Sequence, residues 1–172
     1  MNRVMIDFET LSLENNPHIL SVGAYLFDGE NKGKTFYVEF DHTHQPNTHI
    51  SAGTVAWWMQ QGSDLKNNLF GSINKENYST GLRLLNSFLQ ANYISEYWSH
   101  EDTDIKWLNW HFTNTNINTT PHYKTRGFRT IASLCPEVAK VPSKILHHAL
   151  EDAISQGDYI FNCLEDLNRR DY

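Results

Sequence analysis

Val4-Met5-Ile6-Asp7-Phe8-Glu9-Thr10 is the stretch from which the chain is best read. Residues two apart on a strand point the same way, so Asp7 and Glu9 share a face while Phe8 takes the other. The segment has the composition of a buried strand, yet it carries two carboxylates side by side. Burying an ionised carboxylate is costly and two close together repel, so a divalent cation is the natural partner. The ordinary alternative is a sheet that ends at Ile6, with both acids in water.

Working outward, residues 19–27 read as a second strand and residues 35–40 as a third, joined by turn chemistry at Asp28-Gly29 and Asn31-Lys32-Gly33. Ser51 or Thr54 is placed to cap a helix carrying Val55, Trp57, Trp58 and Met59, with Gly62 as its stop. Leu82, Leu85 and Leu89 recur at helical spacing before a short strand at residues 96–99. Ile105, Leu108 and Phe112 mark another helix, residues 123–128 a fifth strand, and residues 145–168 a long amphipathic helix. This order suits an α/β fold: a mixed five-stranded sheet, three strands antiparallel and two parallel, with helices on both faces.

The chain has 172 residues, 40% hydrophobic and 20% charged, which suits one domain over residues 1–172 with an ample core. No apolar run approaches the roughly 20 residues of a membrane helix, and the first residues carry no signal-peptide pattern, so a cytoplasmic protein with no membrane partner is expected. Cys135 and Cys163 are expected to be reduced core fillers. A net charge of -6 excludes coating of nucleic acid by bulk attraction. It does not exclude an enzyme acting on nucleic acid, and Lys124, Arg126, Arg129, Lys140 and Lys144 gather between residues 121 and 147, where only Glu137 opposes them.

Two further segments carry candidate chemistry. In Ser99-His100-Glu101-Asp102-Thr103-Asp104-Ile105, Asp102 is the better helix cap, whereas a cap does not explain Asp104. In His147-His148-Ala149-Leu150-Glu151-Asp152, five residues separate His147 from Asp152, about 140° around a helix, so His147 has to precede the helix for both to face one site. Taken singly, each of these residues has an ordinary structural reading. Together, Asp7-Phe8-Glu9-Thr10, the stretch ending in Asp104-Ile105, and His147 to Asp152 resemble the DEDDh exonuclease family, of ribonuclease H-like fold, along nearly the whole chain. Trp57-Trp58 and Arg129-Thr130 are most similar to its phage exonuclease A and small bacterial exoribonuclease branch. The family usually has Phe or Tyr before its third acid; Thr103 stands there, which leaves Asp102 as the alternative ligand.

The resemblance implies a 3′-to-5′ exonuclease that releases 5′-nucleoside monophosphates from the 3′ end of single-stranded RNA or DNA. It implies two divalent ions, Mg²⁺ or Mn²⁺, held by Asp7, Glu9, Asp104 and Asp152, with Asp7 bridging and His147 as general base; four carboxylates without a thiolate cluster suit hard cations. Thr10 and Leu11 would touch the terminal nucleotide, and Trp57 and Arg129 would bind substrate. The branch resembled includes dimers, so a homodimer is compatible. The competing readings are a ribonuclease H-like endonuclease and an inactive nucleic-acid-binding module. His42, His44 and His49 are read as solvated loop residues.

Overall fold

The computed structural model describes residues 1–170. Strands β1 (Arg3–Thr10), β2 (Ile19–Asp28), β3 (Thr35–Glu39), β4 (Glu96–Ser99) and β5 (Thr125–Gly127) form one sheet in the order β3-β2-β1-β4-β5. The first three are antiparallel, while β4 pairs parallel with β1 and β5 parallel with β4. β1 is therefore central. Its pairing with β4 covers only Arg3, Val4 and Met5, so the half bearing Asp7 and Glu9 runs past the shorter β4.

The alternation along β1 separates two cores. Val4, Ile6 and Phe8 pack with Leu82, Leu85 and Leu89 of α3 (Tyr78–Ala91) and with Ile105, Leu108 and Phe112 of α4 (Thr103–Asn114). Met5 lies on the other face, with Tyr25, Phe27, and Ala153, Ile160 and Cys163 of α6 (Ala149–Arg170). Two glycines let α6 lie close to the sheet: a Cβ on Gly23 would stand 2.4 Å from the Ala149 carbonyl, and one on Gly157 2.7 Å from the Tyr25 ring. Gly23 is the register partner of Asp7, so the start of α6 is seated beside the first acid.

Several elements depart from expectation. Gly62 does not merely end α1 (Ala52–Met59); its extended backbone leads into α2 (Ser63–Gly71), whose single buried residue, Leu69, leaves no periodic signal. A short α5 (Phe128–Leu134), burying only Ile131, follows β5 and was likewise not evident. The expected fifth strand shrinks to Thr125–Gly127 behind a 3-10 turn at His122–Lys124. The last helix begins at Ala149 rather than residue 145, because His147 has φ 61°, which no α-helix accommodates. Both cysteines are free and fully buried, as expected. Among the described residues, no helix is long and apolar enough to cross a membrane.

Candidate active site

Because β4 stops short, the N–H of Phe8 lies beyond the residues of β1 that pair with it. The Asp104 carboxylate takes that N–H at 3.1 Å, which locates the acid in the first turn of α4 at the edge of β1. Asp104 is 6% exposed. Asp102 faces solvent and pairs with Lys106 at 2.7 Å, so its carboxylate does not join this group.

α6 brings the fourth acid. Asp152 sits in its first turn, and its Oδ2 accepts the N–H of His147 at 2.9 Å, while its own N–H donates to the His148 carbonyl at 3.0 Å. This turn folds His147 back over the helix start: ligating atoms of Glu9, His147 and Asp152 all lie within 4.8 Å of one another. Asp7 accepts a weak hydrogen bond, 3.5 Å, from Gln156, one turn along α6 from Asp152. Three elements remote in sequence thus converge on the open half of β1.

The electrostatics of this group are unfavourable without a ligand. Burial, then the charges of Asp104, Glu9 and Asp152, hold the Asp7 carboxyl well above the usual range. Glu9 is pushed up to about 8 by burial, Asp152 and Asp104. Burial also raises Asp104 to about 7, against hydrogen bonds from Phe8 and other backbone groups that lower it. Each carboxylate has to take up a proton or share a cation, and the donor set, all oxygen with both cysteines in the core beneath α5 and α6, fits hard divalent ions.

Beside the acids lies a cavity of about 410 Å³, lined by Phe8, Glu9, Thr10, Leu13, Trp57, Trp58 and Trp107 among others. Trp58 is 2% exposed and donates its indole N–H to the Thr10 carbonyl at 2.8 Å, so it is a wall. Trp57, 40% exposed, stands perpendicular to the His147 ring with centroids 4.8 Å apart. Thr10 lines the cavity, but Leu11 does not: it packs with Leu20, Trp58 and Leu69, and Leu13 is the leucine that reaches the cavity. Arg129 stands apart at the start of α5, paired with Glu101 and 3.4 Å from His100. Leu13, Trp107 and Gln156 were not singled out from sequence; only the heptapeptide spacing of Gln156 from the helix start, one turn after Asp152, would have pointed to one of them. Of the loop histidines, His42 is half-buried beside His18 and Phe70, while His44 and His49 are exposed, His49 bonding Ser12 at 2.7 Å.

Comparison with known proteins places the family and the fold. The family model described as the 3'-5' exoribonuclease Rv2179c-like domain matches residues 2–164. Among solved structures, the nuclease domain of 3'hExo, a DEDDh family member bound to rAMP, superposes with a TM-score of 0.63 at 13% identity, covering 96% of this chain and 92% of that one. Exonuclease I without ligand gives 0.66 at 11% identity, covering 96% of this chain and 42% of that one. The metal-free complex of E. coli exonuclease I with single-stranded DNA gives 0.64 at 14%, covering 98% and 40%. These structures share the fold, ribonuclease H-like with its mixed sheet. No curated protein matches the chain.

Proposed function

The chain belongs to the 3'-5' exoribonuclease Rv2179c-like domain family, and from that premise we propose that Asp7, Glu9, Asp104 and Asp152 hold two divalent cations, Mg²⁺ or Mn²⁺, at the 3′ end of a single-stranded RNA or DNA. When bound, such ions supply charge stabilisation to the phosphorus centre and its leaving oxygen. His147 accepts the proton of the attacking water as general base, with its ring held against Trp57 and its backbone by Asp152. The water oxygen bonds to phosphorus as the bond from phosphorus to the 3′ oxygen breaks. The departing 3′ oxygen takes up a proton from solvent, so a 5′-nucleoside monophosphate leaves and the shortened strand ends in a 3′ hydroxyl.

The exposed part of the Trp57 ring offers a stacking surface for the terminal base, a contact worth about 1–3 kcal/mol in single-strand binders. Thr10 and Leu13 flank the same cavity. Leu11 supports it from beneath, through Trp58, and Arg129 meets the strand away from the cleavage point, on the flank marked by His100. The chain acts as one exonuclease domain in this reading, and a homodimer is its assembly, read by sedimentation as a single species of twice the chain mass.

The observation that carries the proposal is the convergence of four acids and one histidine from β1, α4 and the start of α6. Its test is digestion of matched end-labelled RNA and DNA oligonucleotides with Mg²⁺, with Mn²⁺ and with chelator. A metal-dependent ladder shortening from the 3′ end is expected. Internal cuts, or binding without cleavage, would replace this reading with an endonuclease or an inactive binding module.

A further inference from the structure

We infer that His148, the neighbour of the general base, is a positioning residue: by stacking on Tyr37 it holds the turn that aims His147 at Glu9 and Asp152. This rests on the reading of His147 as the base. At φ 61° His147 occupies the left-handed region that a non-glycine residue keeps only where its surroundings over-determine it. Two of the restraining contacts, the Asp152 carboxylate and the Trp57 ring, belong to the site itself. The third does not.

That third contact is a parallel stack of the His148 and Tyr37 rings, centroids 4.6 Å apart and planes 20° from parallel. Its geometry follows from the sheet. Tyr37 on β3 is the register partner of Gly23 on β2, where no side chain stands between the strand and the backbone at Ala149. The Tyr37 ring is fixed at its far end, where its hydroxyl donates to Glu39 at 3.0 Å. His148 is tied to α6 as well: its carbonyl accepts the N–H of Asp152 at 3.0 Å, and its Nδ1 lies 3.5 Å from the N–H of Glu151. One residue therefore couples β3, the strained turn and the fourth acid.

The stack and the cap can be separated by substitution. His148→Asn keeps a capping side chain and removes the ring; His148→Phe keeps a ring and removes the cap. Tyr37→Leu removes the stack from the other side, and Tyr37→Phe spares it. With a single-stranded oligonucleotide and saturating Mn²⁺, H148N and Y37L are expected to lower kcat by roughly one to two orders of magnitude, the scale of a misplaced catalytic group. KM should stay within about twofold, since the base-stacking surface is untouched. H148F and Y37F should retain most of the wild-type kcat, and H148N/Y37L should be no slower than either single variant. Wild-type kcat in H148N, or equal losses in H148N and H148F, would overturn the assignment; should H148N not fold, Y37L against Y37F decides in the same way. A readout without turnover separates this from the proposed function: the NMR signals of the His147 ring, which lies against Trp57, should move in H148N and return in H148F. Unmoved signals refute the positioning role even if the enzyme digests RNA, and a shift with no ladder from the wild type refutes only the function.

Discussion

Phe8 divides two buried polar regions that solve the same problem in opposite ways. Its N–H donates to Asp104 in the acid group, while its ring, on the other face of the sheet, lies 6.3 Å from that of His111. His111 is fully buried, and its Nδ1 is 2.8 Å from the Tyr78 hydroxyl. Burial, with the nearby charge of His18, lowers it to about 3, so it is neutral, with Nδ1 hydrogen-bonded and Nε2 buried without a partner among the described residues. The acids are driven toward neutrality too, Glu9 up to about 8 and Asp104 up to about 7, but the protein supplies only the Phe8 N–H, a few other backbone groups and a long bond from Gln156. A lone imidazole that sheds its charge and packs in the core is structural; a crowded cluster of acids that can relieve their repulsion only by taking up protons is built for something that arrives from outside.

The largest expected effect breaks this comparison if it fails. Asp7→Ala should abolish the 3′ ladder, a loss of roughly a thousandfold or more, because the proposed ion site loses its central acid. In chelator at pH 8 the same variant should be more stable than wild type, on the order of 1 kcal/mol, since repulsion is relieved. His111→Gln should do the reverse: keep the ladder and lose about 1–3 kcal/mol, the cost of disturbing a buried hydrogen-bonded group. Parallel ladders and thermal melts read both. Loss of the ladder in H111Q with full stability would show that the two regions are not separate.

Two glycines sharpen the same contrast. A Cβ at Gly23 would meet the Ala149 carbonyl at 2.4 Å, whereas one at Gly81, on the histidine face, would meet the Phe40 ring at 2.6 Å. Overpacking of either kind costs about 1–3 kcal/mol. Only Gly23→Ala also shifts the segment that carries His147 and Asp152, so it should lower kcat by roughly a hundredfold. Gly81→Ala should melt earlier at undiminished kcat. Equal rate losses in the two variants would mean that the seat of α6 against the sheet does not set the site.

How far this was legible from sequence depends on the kind of interaction. β1, β2 and the order of the sheet were readable because apolar residues, period and turn residues agree locally. Asp7 and Glu9 were readable for the same reason, since a shared face follows from strand geometry alone. Asp104, His147 and Asp152 came from resemblance, because their approach depends on β4 ending before Phe8 and on the left-handed turn at His147, neither of which has a local signal. α2 and α5 were missed because each buries one residue only. Leu11 shows the limit of transferring a contact by position: it supports the cavity from the core, and Leu13, two residues on, reaches it.

The smallest effect is a slope of stability with pH, and the two regions give it opposite signs. Glu9 and Asp104 rise from 4.5 and 3.8 to about 8 and about 7 on folding. Between those values the folded protein binds more protons than the unfolded chain, so their contribution is complete below the unfolded pKa and is lost as pH rises through 7 to 8. His111 falls from 6.5 to about 3, and burial lowers His18 and His42 as well, so their contribution is present above 6.5 and is lost as pH falls. Metal-free protein should therefore melt highest in mildly acidic solution and lower on both sides. Mg²⁺ should raise the melting temperature most on the alkaline side, where the acids carry no protons to compete with it, and H111Q should flatten only the acid side. A metal-free melting temperature that climbs from pH 6 to pH 8 would mean that the acids are already satisfied by the fold, and the distinction between the two faces of β1 would be lost.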